Sequence, residues 1–207
     1  LSRFTDPRST EAAREVAAAL GARLEERPLE PLLAPFEAAL ADLLDGSAAG
    51  RRAHENLQAR LRTAILSAYV NRNGGLLLNA SNKTELALGY GTLWGDLAGL
   101  LSPIGDLPKT EVTRLARWVA RTRGTIPPFV LERAPTAELA EGQVDPFDYE
   151  SVAPRVEALV ANAGGGDEAL RAAVRRAEGK RVVHGIVLKV TRTSFGSGRL
   201  VPVTRAY

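Results

Sequence analysis

The sequence predicts an α/β fold, a doubly wound parallel sheet with helices on both faces. Three observations carry this. Short apolar runs, each long enough for one strand, alternate with segments whose apolar residues recur at helical spacing. The run Leu76-Leu77-Leu78 ends abruptly in Asn79-Ala80-Ser81-Asn82, and a helix-like segment carrying one carboxylate, Glu85, follows at once. Strand, polar turn and helix start, in that order, mark the place where open α/β sheets put ligands. The length of 207 residues, 45% hydrophobic and 25% charged, suits one soluble domain with a large core, so residues 1–207 are read as one domain.

The elements follow in order. Ser9-Thr10 before Glu11 to Leu20 reads as an N-capped helix that Gly21 stops. Ala22 to Pro28 is a short strand. Leu32, Leu33, Phe36, Leu40 and Leu43 make Glu30 to Leu44 a second helix, and Gly46 to Gly50 a loop. Asn56 to Asn73 is the clearest helix, with Leu57, Leu61, Ala64, Ile65 and Ala68 on one apolar face. Gly74-Gly75 end it and strand Leu76 to Leu78 follows. Lys109 to Arg123 is a further helix, broken off before Ile126-Pro127-Pro128. Tyr149 to Val160 and Asp167 to Ala177 are two later helices around Gly164-Gly165-Gly166, and the tail from Val182 is extended. The triple glycine is a plain loop, because no Lys-Ser/Thr follows it as a phosphate-binding loop requires.

Composition excludes several functions. The chain has no Cys, so disulfides, Cys-ligated zinc and thiol catalysis are out, and a reducing cytoplasm is the natural setting. No stretch approaches the ~18 apolar residues of a membrane span. The opening Leu1-Ser2-Arg3-Phe4 has no signal-peptide core, and the chain has no Met, so residue 1 is read as the interior of a longer parent. The net charge is +3, with nine Lys/Arg against two Glu from Glu168 onward. That stretch is either a solvated face or a contact for an anionic partner. It lacks the interleaved aromatics of a nucleic-acid stacking platform.

Candidate chemistry sits on a few polar residues. Asn56 and Arg60, four apart, share a helix face away from the apolar one. They form either a surface pair or a fork for carboxylate or phosphate. Glu85 is either a cap or ion pair, or a Mg²⁺ ligand shared with a nucleotide. Lys109 stands at a helix start behind Pro103, Gly105 and Pro108, where the macrodipole disfavours it, which points to a compensating ligand anion. Thr136 lies in the constrained turn Ala134-Pro135-Thr136, as a helix cap or a ligand contact. His54 and His184 stand alone, with no triad pattern around either.

Taken together, these pieces resemble the synthetase domain of the NAD⁺ synthase family. The resemblance runs through Glu55-Asn56-Leu57-Gln58-Ala59-Arg60-Leu61-Arg62, Asn79 to Tyr90, and Thr92-Leu93-Trp94-Gly95-Asp96. It continues through Pro103-Ile104-Gly105-Asp106-Leu107-Pro108-Lys109-Thr110, Pro135-Thr136-Ala137-Glu138-Leu139, and the tail from Lys189-Val190-Thr191-Arg192 to Tyr207. It implies ATP-dependent amidation of deamido-NAD⁺ through an adenylate, releasing AMP and pyrophosphate, with ATP as substrate and Mg²⁺ as cofactor. Asn56, Arg60, Glu85 and Lys180 would face deamido-NAD⁺, Glu85 would also bind Mg²⁺, and Ala80, Lys109 and Thr136 would lie by ATP. The partners implied are ammonia, free or derived from glutamine, and a second copy in a homodimer, with neither nucleic acid nor membrane.

The sequence departs from the family at three places. Ala80 stands where the family often has Thr, so it offers only backbone groups. Gly179 replaces a bulkier residue before Lys180. The Ser-Gly-Gly-x-Asp-Ser pyrophosphate loop and its N-terminal strand, expected before Leu1, are missing from the 207 residues, as is an amidase domain. Alternatives are another ATP-pyrophosphatase amidotransferase, or a non-catalytic dimerisation or binding module lacking that loop.

Overall fold

A computed structural model describes residues 1–161, 167–192 and 194. The triple-glycine loop and most of the tail beyond Arg192 lie outside the described residues. In chain order the elements are α1 (Pro7–Ala19), α2 (Glu30–Ala39), α3 (Ala48–Asn73), α4 (Lys83–Leu88), β1 (Leu101–Ser102), α5 (Lys109–Arg123), α6 (Pro128–Glu132), α7 (Tyr149–Val160), α8 (Glu168–Arg176), α9 (Glu178–Val182) and β2 (Ile186–Val187). The chain forms two compact units, Leu1–Arg62 with Thr113–Pro146, and Thr63–Val112 with Phe147–Tyr207.

In the first unit α1 begins earlier than Ser9-Thr10 because Asp6-Pro7 is a better start. The Asp6 carboxylate accepts from the Arg8 N–H at 2.9 Å and Pro7 fills the first helical position. Gly21, at φ +61°, ends the helix as expected. Ala22–Pro28 forms no strand. Its backbone is tied to Leu1, whose N-terminus donates to Arg27 O at 2.8 Å and whose carbonyl accepts from Leu29 N at 2.7 Å. α2 stops short of Leu44, and its leucine pattern continues through turns in which Leu43 N and Leu44 N both return to Leu40 O. α3 starts within the expected Gly46–Gly50 loop, since Ser47 Oγ accepts from Gly50 N at 3.0 Å and caps it. Its buried residues include Gln58, Ala59 and Leu61, whereas Ala64 and Ala68 of the expected apolar face are exposed. After the Ile126-Pro127-Pro128 break, Pro128 opens the short helix α6.

The second unit holds the parallel sheet. β1 and β2 pair in parallel with Leu101 opposite Ile186 and Ser102 opposite Val187, and Leu78 bridges to Leu101, also in parallel. The Leu76–Leu78 run is thus a sheet segment of one bridge among the described residues, shorter than expected, and β1 lies between it and β2. In the same unit α4 packs against α7 and α8. Ala87, Val156, Val160 and Leu170 form the buried cluster, with Leu88, Val152, Leu159 and Val174 packed on it. Each buried Val or Leu contributes about 1.5–3 kcal/mol. Gly89 ends α4 at φ +67°, and a Cβ there would lie 2.8 Å from the Ala177 Cβ, so both conformation and contact require glycine.

Candidate functional site

The polar turn after Leu78 is held from inside. Asn79 is buried and reads its surroundings through its amide: Nδ2 donates to Asp96 O at 2.7 Å and Ala98 O at 3.2 Å, and Oδ1 accepts from Ser81 N at 2.8 Å. Ala80, between them, is exposed. Asn82 then caps α4 in a reciprocal box. Its Oδ1 accepts from Glu85 N at 3.1 Å, and Asn82 N donates to Glu85 Oε2 at 3.0 Å.

The other Glu85 oxygen, Oε1, accepts from Lys109 Nζ at 3.3 Å. Lys109 is the first residue of α5, and its Nζ lies 5.2 Å from the ring centroid of the buried Tyr149. The anion that offsets its unfavourable helix-start position is therefore the Glu85 carboxylate of the same chain. The loop before it is sewn to α4 at two points. Lys83 N donates to Leu107 O at 2.9 Å, and Lys109 N donates to Thr84 Oγ1 at 3.1 Å. Glu85 and Lys109 are thus a preorganised acid and cation on adjacent helix starts, each partly open to solvent.

Lys180 lies at the other end of α4. Its Nζ donates to Gly89 O at 2.7 Å and Gly91 O at 2.6 Å, leaving one ammonium N–H. Burial pushes its pKa down, partly offset by Asp96. Arg181 adds donors to Leu86 O at 3.1 Å and Ala87 O at 3.0 Å. A six-residue helix leaves its last carbonyls unpaired within itself; Arg181 takes those of Leu86 and Ala87, and Lys180 takes those of Gly89, the C-cap, and Gly91 beyond it. Sequence reasoning missed this capping role, since the cations lie 89–95 residues beyond these carbonyls.

In the first unit Asn56 is half-buried and Arg60 exposed, on one face of α3. Thr136 caps no helix. Its Oγ1 accepts from Glu138 N at 3.1 Å, a two-residue hydroxyl turn, and Glu138 has φ +52°. Glu138 Oε1 in turn accepts from Ser9 Oγ at 2.6 Å and Arg133 at 2.8 Å, while Arg62 donates to Glu138 O at 3.3 Å. Glu138, Arg133 and Arg62 hold the Thr136 turn, and the sequence reading had not singled them out. A cavity of about 360 Å³ in this unit is lined by Phe4, Glu37, Arg51, His54 and Glu55 among others, but not by Asn56, Arg60 or Thr136.

Neither histidine stands alone. His54 Nε2 meets Glu37 Oε1 at 2.6 Å, and His184 Nε2 meets Ser102 Oγ at 2.6 Å with Nδ1 3.2 Å from Leu97 O. Ser102 is fully buried, so this Ser–His pair ties the turn before β2 to β1 and is no nucleophile. Burial pushes the His184 pKa down, with the Leu97 carbonyl opposing. The structure thus brings together Glu85 and Lys109 around α4, with Lys180 at its far end. Asn56, Arg60 and Thr136 belong to the other unit.

The family model for NAD synthase matches residues 2–185. The chain belongs to the NAD synthase family. A glutamine-dependent NAD(+) synthetase of Synechocystis is 38% identical over 221 residues, covering 100% of this chain and 39% of that protein. An NH(3)-dependent NAD(+) synthetase of Pelodictyon phaeoclathratiforme is 42% identical over 150 residues, covering 70% of this chain and 50% of that protein. Among solved structures, a glutamine-dependent NAD⁺ synthetase of Acinetobacter baumannii in complex with ADP superposes with a TM-score of 0.60 at 28% identity, over 98% of this chain and 39% of that one. An NMN synthetase of Francisella tularensis reaches a TM-score of 0.71 at 23% identity, over 92% and 76%, and shares the fold. The chain spans 39–40% of the length of the first two glutamine-dependent relatives. Family membership makes the α/β parallel-sheet fold expected from the sequence that of the NAD synthetases.

Proposed function

We propose that this chain serves the ATP-dependent amidation of deamido-NAD⁺ to NAD⁺. The observation that carries the reading is the Glu85–Lys109 pair, 3.3 Å apart at the end of a strand–turn–helix run in a chain of this family. The nicotinate carboxylate attacks the α-phosphorus of ATP and pyrophosphate leaves. Ammonia then attacks the acyl carbon of the adenylate, the amide forms and AMP leaves. Negative charge builds on the α-phosphate and the leaving pyrophosphate, so a fixed ammonium lowers the barrier where it meets them. Lys109 supplies it to ATP. Thr136 offers a hydroxyl and Ala80 backbone groups to the same substrate. Asn56, Arg60 and Lys180 serve deamido-NAD⁺, Arg60 through a planar fork suited to its phosphates and Lys180 through its remaining N–H. Glu85 orients Lys109 and faces the dinucleotide.

Mg²⁺ fits Glu85 as an ion carried in on polyphosphate. Among the described residues no three His, Asp or Glu side chains gather to hold a metal by themselves. One Glu85 oxygen is committed to the cap and the other faces Lys109. Glu85 would be the protein ligand, exchanging its Lys109 contact for the ion while Lys109 turns to the phosphates, and the bound ion would neutralise phosphate charge. We further propose that both units belong to one synthetase domain acting as a homodimer in the cytoplasm. No helix among the described residues is long and apolar enough to cross a membrane. Both ammonia- and glutamine-dependent relatives match, so either nitrogen source is admitted.

The test is amide formation by the full-length protein from deamido-NAD⁺, MgATP and ammonia, with Arg60→Ala alongside. The variant should raise KM for deamido-NAD⁺ about tenfold, the loss of one charged contact, with KM for ATP unmoved. An unchanged KM for deamido-NAD⁺ removes Arg60 from the site.

A further inference from the structure

Two residues before Glu85 and three before Lys109 lie the ends of a buried ion pair that the proposed chemistry does not use. Lys83 and Asp106 side chains are both fully buried, with Nζ 3.4 Å from Oδ1. Lys83 Nζ also donates to Glu157 Oε1 at 2.9 Å and Thr191 Oγ1 at 3.2 Å. The Asp106 carboxylate accepts from Val190 N at 2.8 Å, Thr191 N at 2.7 Å and the Thr191 hydroxyl at 2.9–3.0 Å. One carboxylate therefore catches two consecutive backbone amides and a hydroxyl of the segment after β2. Lys83 neutralises it from the start of α4.

Stability alone does not account for such a cluster, since apolar residues of the same volume usually serve as well or better. Glu157 Oε2 is buried with no hydrogen-bond partner among the described residues, a further cost. What an apolar pair lacks is the ability to hold amides. Asp106 sits in the same short loop as Leu107 and Lys109, which hydrogen-bond Lys83 N and Thr84 Oγ1. Fixing Asp106 thus fixes the loop that presents Lys109 to Glu85.

We propose that Lys83 and Asp106 are positioning residues: by capturing segment Val190–Thr191 they set the loop that places Lys109 against Glu85. The inference rests on the reading of Glu85 and Lys109 given above. It makes docking of this C-terminal segment a condition for an ordered ATP site.

The experiment is a double replacement, Lys83→Met with Asp106→Leu, in the full-length protein. It removes both charges of the buried pair together and discards the amide acceptor, and Glu157, one-third exposed, loses Lys83 but keeps solvent on its charge. Amide hydrogen exchange is followed at Val190, Thr191 and Lys109, together with the melting temperature and the KM for MgATP. The expected result is a melting temperature above that of either single variant. Exchange should be about tenfold or more faster at all three amides, and KM for MgATP should rise by a similar factor. Wild-type protection at the Lys109 amide overturns the proposal and leaves the pair a purely structural one. If the double variant does not fold, Asp106→Asn, which keeps the shape and removes the charge, is read on the same amides with the same two outcomes. If wild-type protein makes no NAD⁺, the functional reading fails, while the exchange at Lys109 still decides the coupling.

Discussion

Replacing Glu85 by Gln separates charge from shape at the centre of the site. Gln at the third helical position still accepts from Asn82 N, so the capping box survives. What disappears is the charge facing Lys109 Nζ at 3.3 Å. The two side chains are 16% and 24% exposed, enough for water to damp the attraction without cancelling it. A charge-assisted hydrogen bond of this kind has a net worth of about 1–2 kcal/mol. Glu85→Ala should cost about 1 kcal/mol more, because the cap goes too. Urea unfolding of the full-length protein measures both, and a cycle with Lys109→Met isolates the pair. The coupling should be about 1 kcal/mol and shrink at high salt. Additivity within about 0.5 kcal/mol, with Glu85→Gln as stable as wild type, would refute the claim that Glu85 holds Lys109.

Two further outcomes follow from local geometry. The half-buried His184 has a pKa below the usual imidazole value of about 6.5, so on acidification the unfolded chain takes the proton first. Its contribution is therefore intact above about pH 6.5, falls as the pH drops from there, and levels off below the folded-state pKa. His184→Gln should flatten that part of a urea-midpoint profile, and an unchanged slope would assign it to other groups. Gly89→Ala should destabilise by about 1–3 kcal/mol, since φ is +67° and the new methyl meets the Ala177 Cβ. A thermal midpoint within a degree or so of wild type would mean that α4 ends differently in solution.

Much of the fold was legible because its signals are local. α5 and α7 have the bounds that periodicity predicts, and Asp167 caps α8 as a polar residue before a helical run should. The misses came where a stronger neighbour competed. Asp6-Pro7 outbid Ser9 as a start, and Ser47 pulled α3 forward into a glycine-rich stretch. Ala22–Pro28 has the composition of a strand, but strand formation depends on partners that no local pattern reveals. At the site, the Glu85 cap was readable from Asn82 three residues before it. That Glu85 also neutralises Lys109 was not, because the contact closes 24 residues of chain. The Lys83–Asp106–Thr191 cluster was hidden for the same reason, and so were the carbonyls that Lys180 holds.

The most direct test of the account is the product balance of the full-length protein given deamido-NAD⁺, MgATP and ammonia. The chemistry assigned to this chain predicts NAD⁺, AMP and pyrophosphate in equal amounts, with AMP formation dependent on deamido-NAD⁺. Production of ADP and phosphate instead, or of AMP without NAD⁺ when ammonia is in excess, would contradict it.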